Sequence, residues 1–271
     1  MLSPLRRQSD QPARRRFRHG VALLPSFFTV GNLFCGYACV VYAMRGEYDT
    51  AALFVGIAFV LDMLDGRIAR MTGTTSPFGL ELDSLADVIS FGLAPAVLSF
   101  SWGLTPLGRW GWAAGFLFVT AAAMRLARFN IQSTSAGADK RYFVGMPSPA
   151  AASVPAATVF AYPWGLHDPR EALPALAMVL IPAFLMVSTI RFRSFKTIDL
   201  QARRSYTSLI VLAAGLAAIV AHPRAVLVTL AYGYLASPFV GMLITRIRRR
   251  GGGDETIKVP APTKSEPAAP S

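Results

Sequence analysis

The chain has 271 residues, 53% of them hydrophobic and only 15% charged, with a mean hydropathy of +0.43 and a formal net charge of +12. That balance excludes an ordinary soluble domain and fits a polytopic membrane protein. The positive charge sits in the end segments and short loops rather than on one soluble face, which argues against nucleic acid as a partner and for anionic membrane lipids.

In chain order, residues 1–20 carry Arg6, Arg7, Arg14, Arg15, Arg16 and Arg18 without an apolar core. They read as a basic cytoplasmic tail, not a cleavable leader. Eight apolar stretches follow, at about 25–44, 50–71, 79–101, 108–129, 147–165, 172–190, 205–222 and 224–246. Each is close to the roughly 20 residues that a helix needs to cross a bilayer. Lipid tolerates only backbone-satisfied structure, so residues 21–250 are expected to form an all-α, polytopic transmembrane helix bundle of eight spans. The last segment, 251–271, is rich in Gly, Pro and polar residues and reads as a disordered cytoplasmic tail.

Eight spans put both ends on one side, together with the basic stretches "DKRY" (139–142), "RFRSFKTIDLQARR" (191–204) and "RIRRR" (246–250). The opposite side receives "RGEYD", "WGLTPLGR", "GLHDPRE" and "HPR", which are short and nearly charge-balanced. The positive-inside rule then makes both termini cytoplasmic in a multi-pass cell-membrane protein. In the first span, Cys35 and Cys39 share a helix face; with no third ligand nearby they read as small packing residues.

The second and third spans hold the chemistry. Within "LDMLDGRIARMTGTTSPFGLELDSLAD" (61–87) lie four aspartates, Asp62, Asp65, Asp83 and Asp87. Each carboxylate near a span centre opposes insertion by about 2.5–3.5 kcal/mol, so the group needs a purpose. Asp62, Asp65, Gly66 and Ala69 fall on one helical stripe, and Gly79, Asp83 and Asp87 on a stripe of the next helix. Facing each other, the four would repel strongly in a low dielectric. Divalent cations neutralise them, and hard oxygen ligands suit Mg²⁺, Mn²⁺ or Ca²⁺. Gly66 and Gly79 keep side chains away from the metals, and Arg70 adds a cation suited to a phosphate. The stretch reads as a metal-dependent site for a phosphate ester on the cytoplasmic side.

The pattern Asp62-x2-Asp65-Gly66-x2-Ala69-Arg70-x8-Gly79-x3-Asp83-x3-Asp87 resembles the signature of the CDP-alcohol phosphotransferase family. The resemblance implies transfer of a phosphatidyl group from a CDP-linked lipid to an alcohol with release of CMP. It also implies two divalent cations on the four aspartates, Asp87 as the catalytic proton acceptor, and a homodimer. "LPSFFTVGNLFCG" (24–36) is similar to the family's opening element, which puts Thr29 and Asn32 beside the CDP group along with Gly66, Arg70, Ser76 and Gly79. "GTTSPFGLELDSLADVISFGLAP" (73–95), "RLARFN" (125–130) and "FVGMPSPAAA" (143–152) resemble the membrane-embedded, serine-using branch of the family in bacteria and archaea. That resemblance implies CDP-diacylglycerol and L-serine as substrates.

Free serine carries a carboxylate, which Arg125 and Arg128 can bind, with Asn130 as a polar neighbour. The same two arginines also suit anchoring at the membrane interface. Two other functions stay open: the same transfer to glycerol 3-phosphate, inositol phosphate or choline, and an ion-coupled transporter whose aspartates bind the transported cation. The clustering of the aspartates in adjacent spans and the lack of an internal repeat weigh against the transporter.

Overall fold

The computed structural model describes residues 13–72, 76–134, 142–193 and 205–251. Helices fall on all eight predicted stretches. They are α1 (Ala13–Met44), α2 (Tyr48–Thr72), a rod from Pro77 to Leu107, α5 (Arg109–Thr134), α6 (Ser148–Ala161), α7 (Pro169–Val187), α8 (Ser205–Ala221) and α9 (Pro223–Gly251). The rod contains α3 (Pro77–Val88), a π-helical turn (Ile89–Leu93), α4 (Ala94–Ser99), a second π turn (Phe100–Leu104) and a 3₁₀ turn (Thr105–Leu107).

The all-α expectation holds among the described residues, whose one extended feature is small. β1 (Tyr142–Val144) pairs antiparallel with β2 (Arg191–Arg193), with Phe143 opposite Phe192. α1 begins at Ala13, inside the segment expected to be a basic tail. Residues 1–12, 252–271, most of "DKRY" and residues 194–204 lie outside the described residues. The chain forms two compact units, Met1–Pro238 and Phe239–Ser271; the described part of the second is the end of α9.

Four helical segments among the described residues are long and apolar enough to cross a membrane: Phe27–Met44, Pro77–Leu107, Arg109–Gln132 and Pro169–Val187. Two of the remaining stretches differ for physical reasons. α2 carries Asp49, Asp62 and Asp65 and two arginines, and α6, at 14 residues, is about 21 Å long against a hydrocarbon core of about 30 Å. The outer faces are apolar, with Phe27, Phe34 and Tyr37 of α1, Trp110, Trp112 and Phe116 of α5 and Phe184 of α7 all exposed. So much exposed aromatic surface suits lipid as the surrounding solvent.

The core is built from small residues that let helices approach closely, including Ala43, Ala51, Ala58, Ala94, Ala122 and Ala151, filled in by Phe91, Leu98 and Phe118. Cys35 and Cys39 are buried among them, unbridged, as the packing expectation had it. α1 ends in a glycine cap. Gly46 takes φ 78°, its N–H donates to the Ala43 carbonyl at 3.1 Å, and the Glu47 N–H donates to the Tyr42 carbonyl at 3.0 Å. This 6→1 and 5→2 pair closes the helix and turns the chain straight back into α2.

The two π turns have distinct uses. At the first, α1 lies so close that a Cβ on Gly36 would sit 2.6 Å from Ser90 Oγ and 2.9 Å from Ser90 Cα. At the second, the altered hydrogen-bond register offers carbonyls to neighbours. Tyr48 Oη donates to the Ser101 carbonyl at 2.8 Å, and the Leu166 N–H donates to the Trp102 carbonyl at 2.7 Å.

Candidate active site

Three helices meet at the aspartates. α2 delivers Asp62 and Asp65 in its C-terminal half, and α3 delivers Asp83 from its middle and Asp87 from its last turn. The two predicted stripes face each other: one carboxylate oxygen each from Asp62, Asp83 and Asp87 lie within 4.8 Å of one another. Asp65 stands outside that triad, buried, with Oδ2 accepting a hydrogen bond from Thr29 Oγ1 at 3.2 Å. Asp87 is buried as well, and its Oδ1 accepts from Asn32 Nδ2 at 3.2 Å. α1 therefore enters the site through Thr29 and Asn32, which hold one carboxylate on each of the other two helices. Asn32 is itself fixed, because its backbone carbonyl accepts from Ser90 Oγ at 2.8 Å.

The donor set fits a divalent cation. Oxygen ligands bind such ions at about 2.0–2.6 Å, so oxygens on one ion lie within about 5 Å of each other, as the triad does. Asp83 Oδ1 is buried and has no hydrogen-bond partner. A buried, unsatisfied carboxylate oxygen is costly unless a cation takes it. Asp62, Asp83 and Asp87 are the residues that would hold a metal, with Asp65 behind them.

Gly79 and Ser76 mark the entry to α3. Ser76 is its N-cap, and Ser76 Oγ accepts from the Gly79 N–H at 3.0 Å. A Cβ on Gly79 would lie 3.1 Å from that oxygen, so the glycine keeps the cap open. Gly66 is half-buried on the α2 stripe. The Arg70 side chain lies outside the described residues.

Arg125 and Arg128 part company. Arg125 turns inward from α5: its Nη1 donates to Ser148 Oγ at 3.0 Å, and its Nε is buried without a partner. It lies within electrostatic reach of Asp87, Tyr234 and Asp62. Arg128 is exposed. Asn130 Nδ2 donates to Ser84 Oγ at 2.9 Å, tying α5 to α3.

Ser148, Ser90 and Tyr234 are the residues that the sequence did not single out. Ser148 lies in a stretch that the family resemblance covered, but a serine at the start of a helix is commonplace. Ser90 lies in such a stretch too, and Tyr234 in none; the contacts of both come from packing between remote helices.

Residues 22–190, more than half of the chain, match the CDP-alcohol phosphatidyltransferase family. Curated relatives point the same way. The chain is 41% identical over 179 residues, 65% of its own length and 74% of the relative's, to the CDP-diacylglycerol–serine O-phosphatidyltransferase of Helicobacter pylori. It is 32% identical over 173 residues, 64% of its length and 91% of the relative's, to the protein of the same name in Bacillus subtilis. To the archaetidylserine synthase of Methanothermobacter thermautotrophicus it is 32% identical over 171 residues, 62% of its length and 69% of the relative's. With the aspartates of the signature gathered between two adjacent helices and the family match running through both, this chain belongs to the CDP-alcohol phosphatidyltransferase family.

Proposed function

We propose that the chain is a phosphatidylserine synthase: it transfers the phosphatidyl group of CDP-diacylglycerol to the hydroxyl of L-serine, giving phosphatidylserine and CMP. The observation that carries this function is the convergence of Asp62, Asp83 and Asp87, with the inward-turned Arg125 within electrostatic reach of Asp87 and Asp62. A carboxylate cluster suits a metal-bound diphosphate, and a part-buried guanidinium with a buried, unpartnered Nε suits the carboxylate of an amino-acid acceptor. The names of the relatives favour the same acceptor, because the bacterial and the archaeal enzymes are both named for serine.

The chemistry is a single displacement. The serine oxygen attacks the phosphorus that carries diacylglycerol, the bond from that phosphorus to the CMP oxygen breaks, and the serine hydroxyl proton passes to Asp87. Asn32 holds Asp87 Oδ1, leaving Oδ2 to receive the proton. Two divalent cations, Mg²⁺ or Mn²⁺ or else Ca²⁺, would be held by Asp62, Asp65, Asp83 and Asp87 and supply positive charge to the diphosphate and the departing CMP. Thr29 stiffens Asp65 and Asn32 stiffens Asp87, and both stand where the CDP group would enter. Gly66 and Gly79 leave it room, while Ser76 and Arg70 offer it a hydroxyl and a cation. Arg125 binds the serine carboxylate, with Arg128 and Asn130 nearby on α5.

The lipid tails of the donor stay in the bilayer, and serine arrives from the cytoplasm. The proposal includes eight spans over residues 21–250, both termini cytoplasmic, in a cell membrane, and a homodimer. Counted along the sequence, eight spans assign the basic stretches to the same side as both ends, which supports that orientation. A transporter gains no support, since the aspartates form one site between adjacent helices.

The test is CMP release from CDP-diacylglycerol by the purified full-length protein with a divalent cation and a panel of serine, glycerol 3-phosphate, inositol phosphate and choline. Serine is expected to support release. Release with another alcohol and none with serine would overturn the acceptor, and no release with any would overturn the transfer. Reporter fusions check the orientation: positions 47, 104, 168 and 223 are expected outside, and 138, 197 and 255 inside.

A further inference from the structure

Ser148 is fully buried at the first turn of α6. Its place is set from a distance. β1 pairs with β2, the Gly145 N–H donates to the Ile190 carbonyl at 2.9 Å, and the Met146 N–H donates to the Leu185 carbonyl at 3.0 Å. Gly145 takes φ 86°, and a Cβ there would run into the Met186 carbonyl and lie 3.2 Å from that of Ser188. This junction pins the start of α6 to the end of α7 and so fixes where the Ser148 hydroxyl stands.

A guanidinium has five N–H donors in a rigid plane. Two of its edges can grip a planar anion with two parallel hydrogen bonds: the end-on edge, Nη1 with Nη2, and the side-on edge, Nε with Nη2. Ser148 accepts one N–H of Nη1 at 3.0 Å, which anchors the plane of the guanidinium. The Nε–H is buried and has no protein partner, so the side-on edge is kept for something else. A buried donor without an acceptor carries a desolvation penalty that a bound carboxylate removes.

Resting on serine as the acceptor proposed above, we infer that Ser148 is the positioning residue that presents the Nε–Nη2 edge of Arg125 to the acceptor carboxylate. Ser148 touches neither substrate nor metal; it acts through Arg125. Without it Nη1 loses its partner and the guanidinium is free to rotate. Tyr234 of α9 lies within electrostatic reach of the same arginine. α9 is tied to α6 by the 3.0 Å hydrogen bond between Thr158 Oγ1 and Tyr232 Oη. The arginine is thus flanked by α6 and α9, and α9 lies beyond the segment matched to the family.

The experiment compares Ser148→Ala, Ser148→Cys and Ser148→Thr with the unaltered full-length protein, reading the KM for serine, the KM for CDP-diacylglycerol and a thermal melt. A lost hydrogen bond to a charged group corresponds to roughly a tenfold effect. Ser148→Ala is expected to raise the serine KM about tenfold, with the CDP-diacylglycerol KM moving less than about twofold. Ser148→Cys keeps the volume with a weak acceptor and should follow Ala, which secures the result if the alanine variant does not fold. Ser148→Thr retains the hydroxyl and should return the serine KM to within about threefold of the starting value. An unchanged serine KM in the cysteine variant, or equal increases for both substrates, would overturn the role of Ser148 while leaving phosphatidylserine synthesis intact. An unaltered protein that releases CMP with another alcohol and none with serine would overturn the acceptor assignment and this inference together.

Discussion

The four aspartates come from α2 and α3, two helices that are neighbours in the chain, whereas Arg125, Ser148 and Tyr234 come from α5, α6 and α9. In the first region, helical periodicity alone puts the right atoms on facing stripes. The second is assembled by a strand pairing, a left-handed glycine and a hydrogen bond between distant helices. Both regions hold buried polar atoms with no protein partner, Asp83 Oδ1 in one and Arg125 Nε in the other. Their charges are opposite, which suits a cationic metal in the first and an anionic acceptor in the second. The contrast teaches that carboxylates on neighbouring helices are brought to facing stripes by local periodicity, while the setting of the arginine depends on the tertiary fold.

The largest effect should come from the local region. Asp87→Asn keeps the shape and removes both the charge and the proton acceptor, so turnover should fall by about 10²–10⁴-fold. Removing one of several clustered carboxylates relieves repulsion, and the metal-free protein should melt no lower than before. Asp62→Asn should lose activity by weakening metal binding, and excess divalent cation should restore part of it, whereas Asp87→Asn should not respond. CMP release against metal concentration, with a melt of each variant, makes the comparison. Near-normal turnover in Asp87→Asn would remove it from the chemistry, and equal rescue of both would leave it a ligand only.

The next effect separates the two regions. Arg125→Ala should raise the serine KM about a hundredfold, the scale of a desolvated charge-assisted contact, and leave the metal requirement unchanged. Arg128→Ala, at an exposed position, should raise the serine KM less than about threefold. If the metal requirement moved as far as the serine KM in Arg125→Ala, the two regions would be one network and the contrast would fail.

The smallest effect tests remote assembly. Gly145→Ala forces a side chain into a left-handed conformation against the Met186 carbonyl, which costs about 1–3 kcal/mol. The melting temperature should drop and the serine KM rise, while the metal concentration for half-maximal activity stays put. A variant that melts normally and binds serine normally would show that the junction does not position Ser148.

By itself the sequence determined the helical class, the stretches that become helices, and the facing of Asp62 with Asp83 and Asp87. Those features depend on hydropathy and on a repeat of 3.6 residues, both local properties of the chain. The packing role of Cys35 and Cys39 was legible for the same reason. The sequence also marked Thr29, Asn32 and Arg125 as site residues, but not what each one touches. Only the tertiary structure decided that Thr29 and Asn32 grip Asp65 and Asp87, that Arg125 turns inward while Arg128 faces out, and that Ser148 completes the arginine's setting. It likewise decided the pairing of β1 with β2, which joins residues about fifty positions apart. Such contacts link residues through space, across glycine approaches such as Gly36 on Ser90. No local pattern carries that information, because the atoms that decide it belong to helices far apart in the chain.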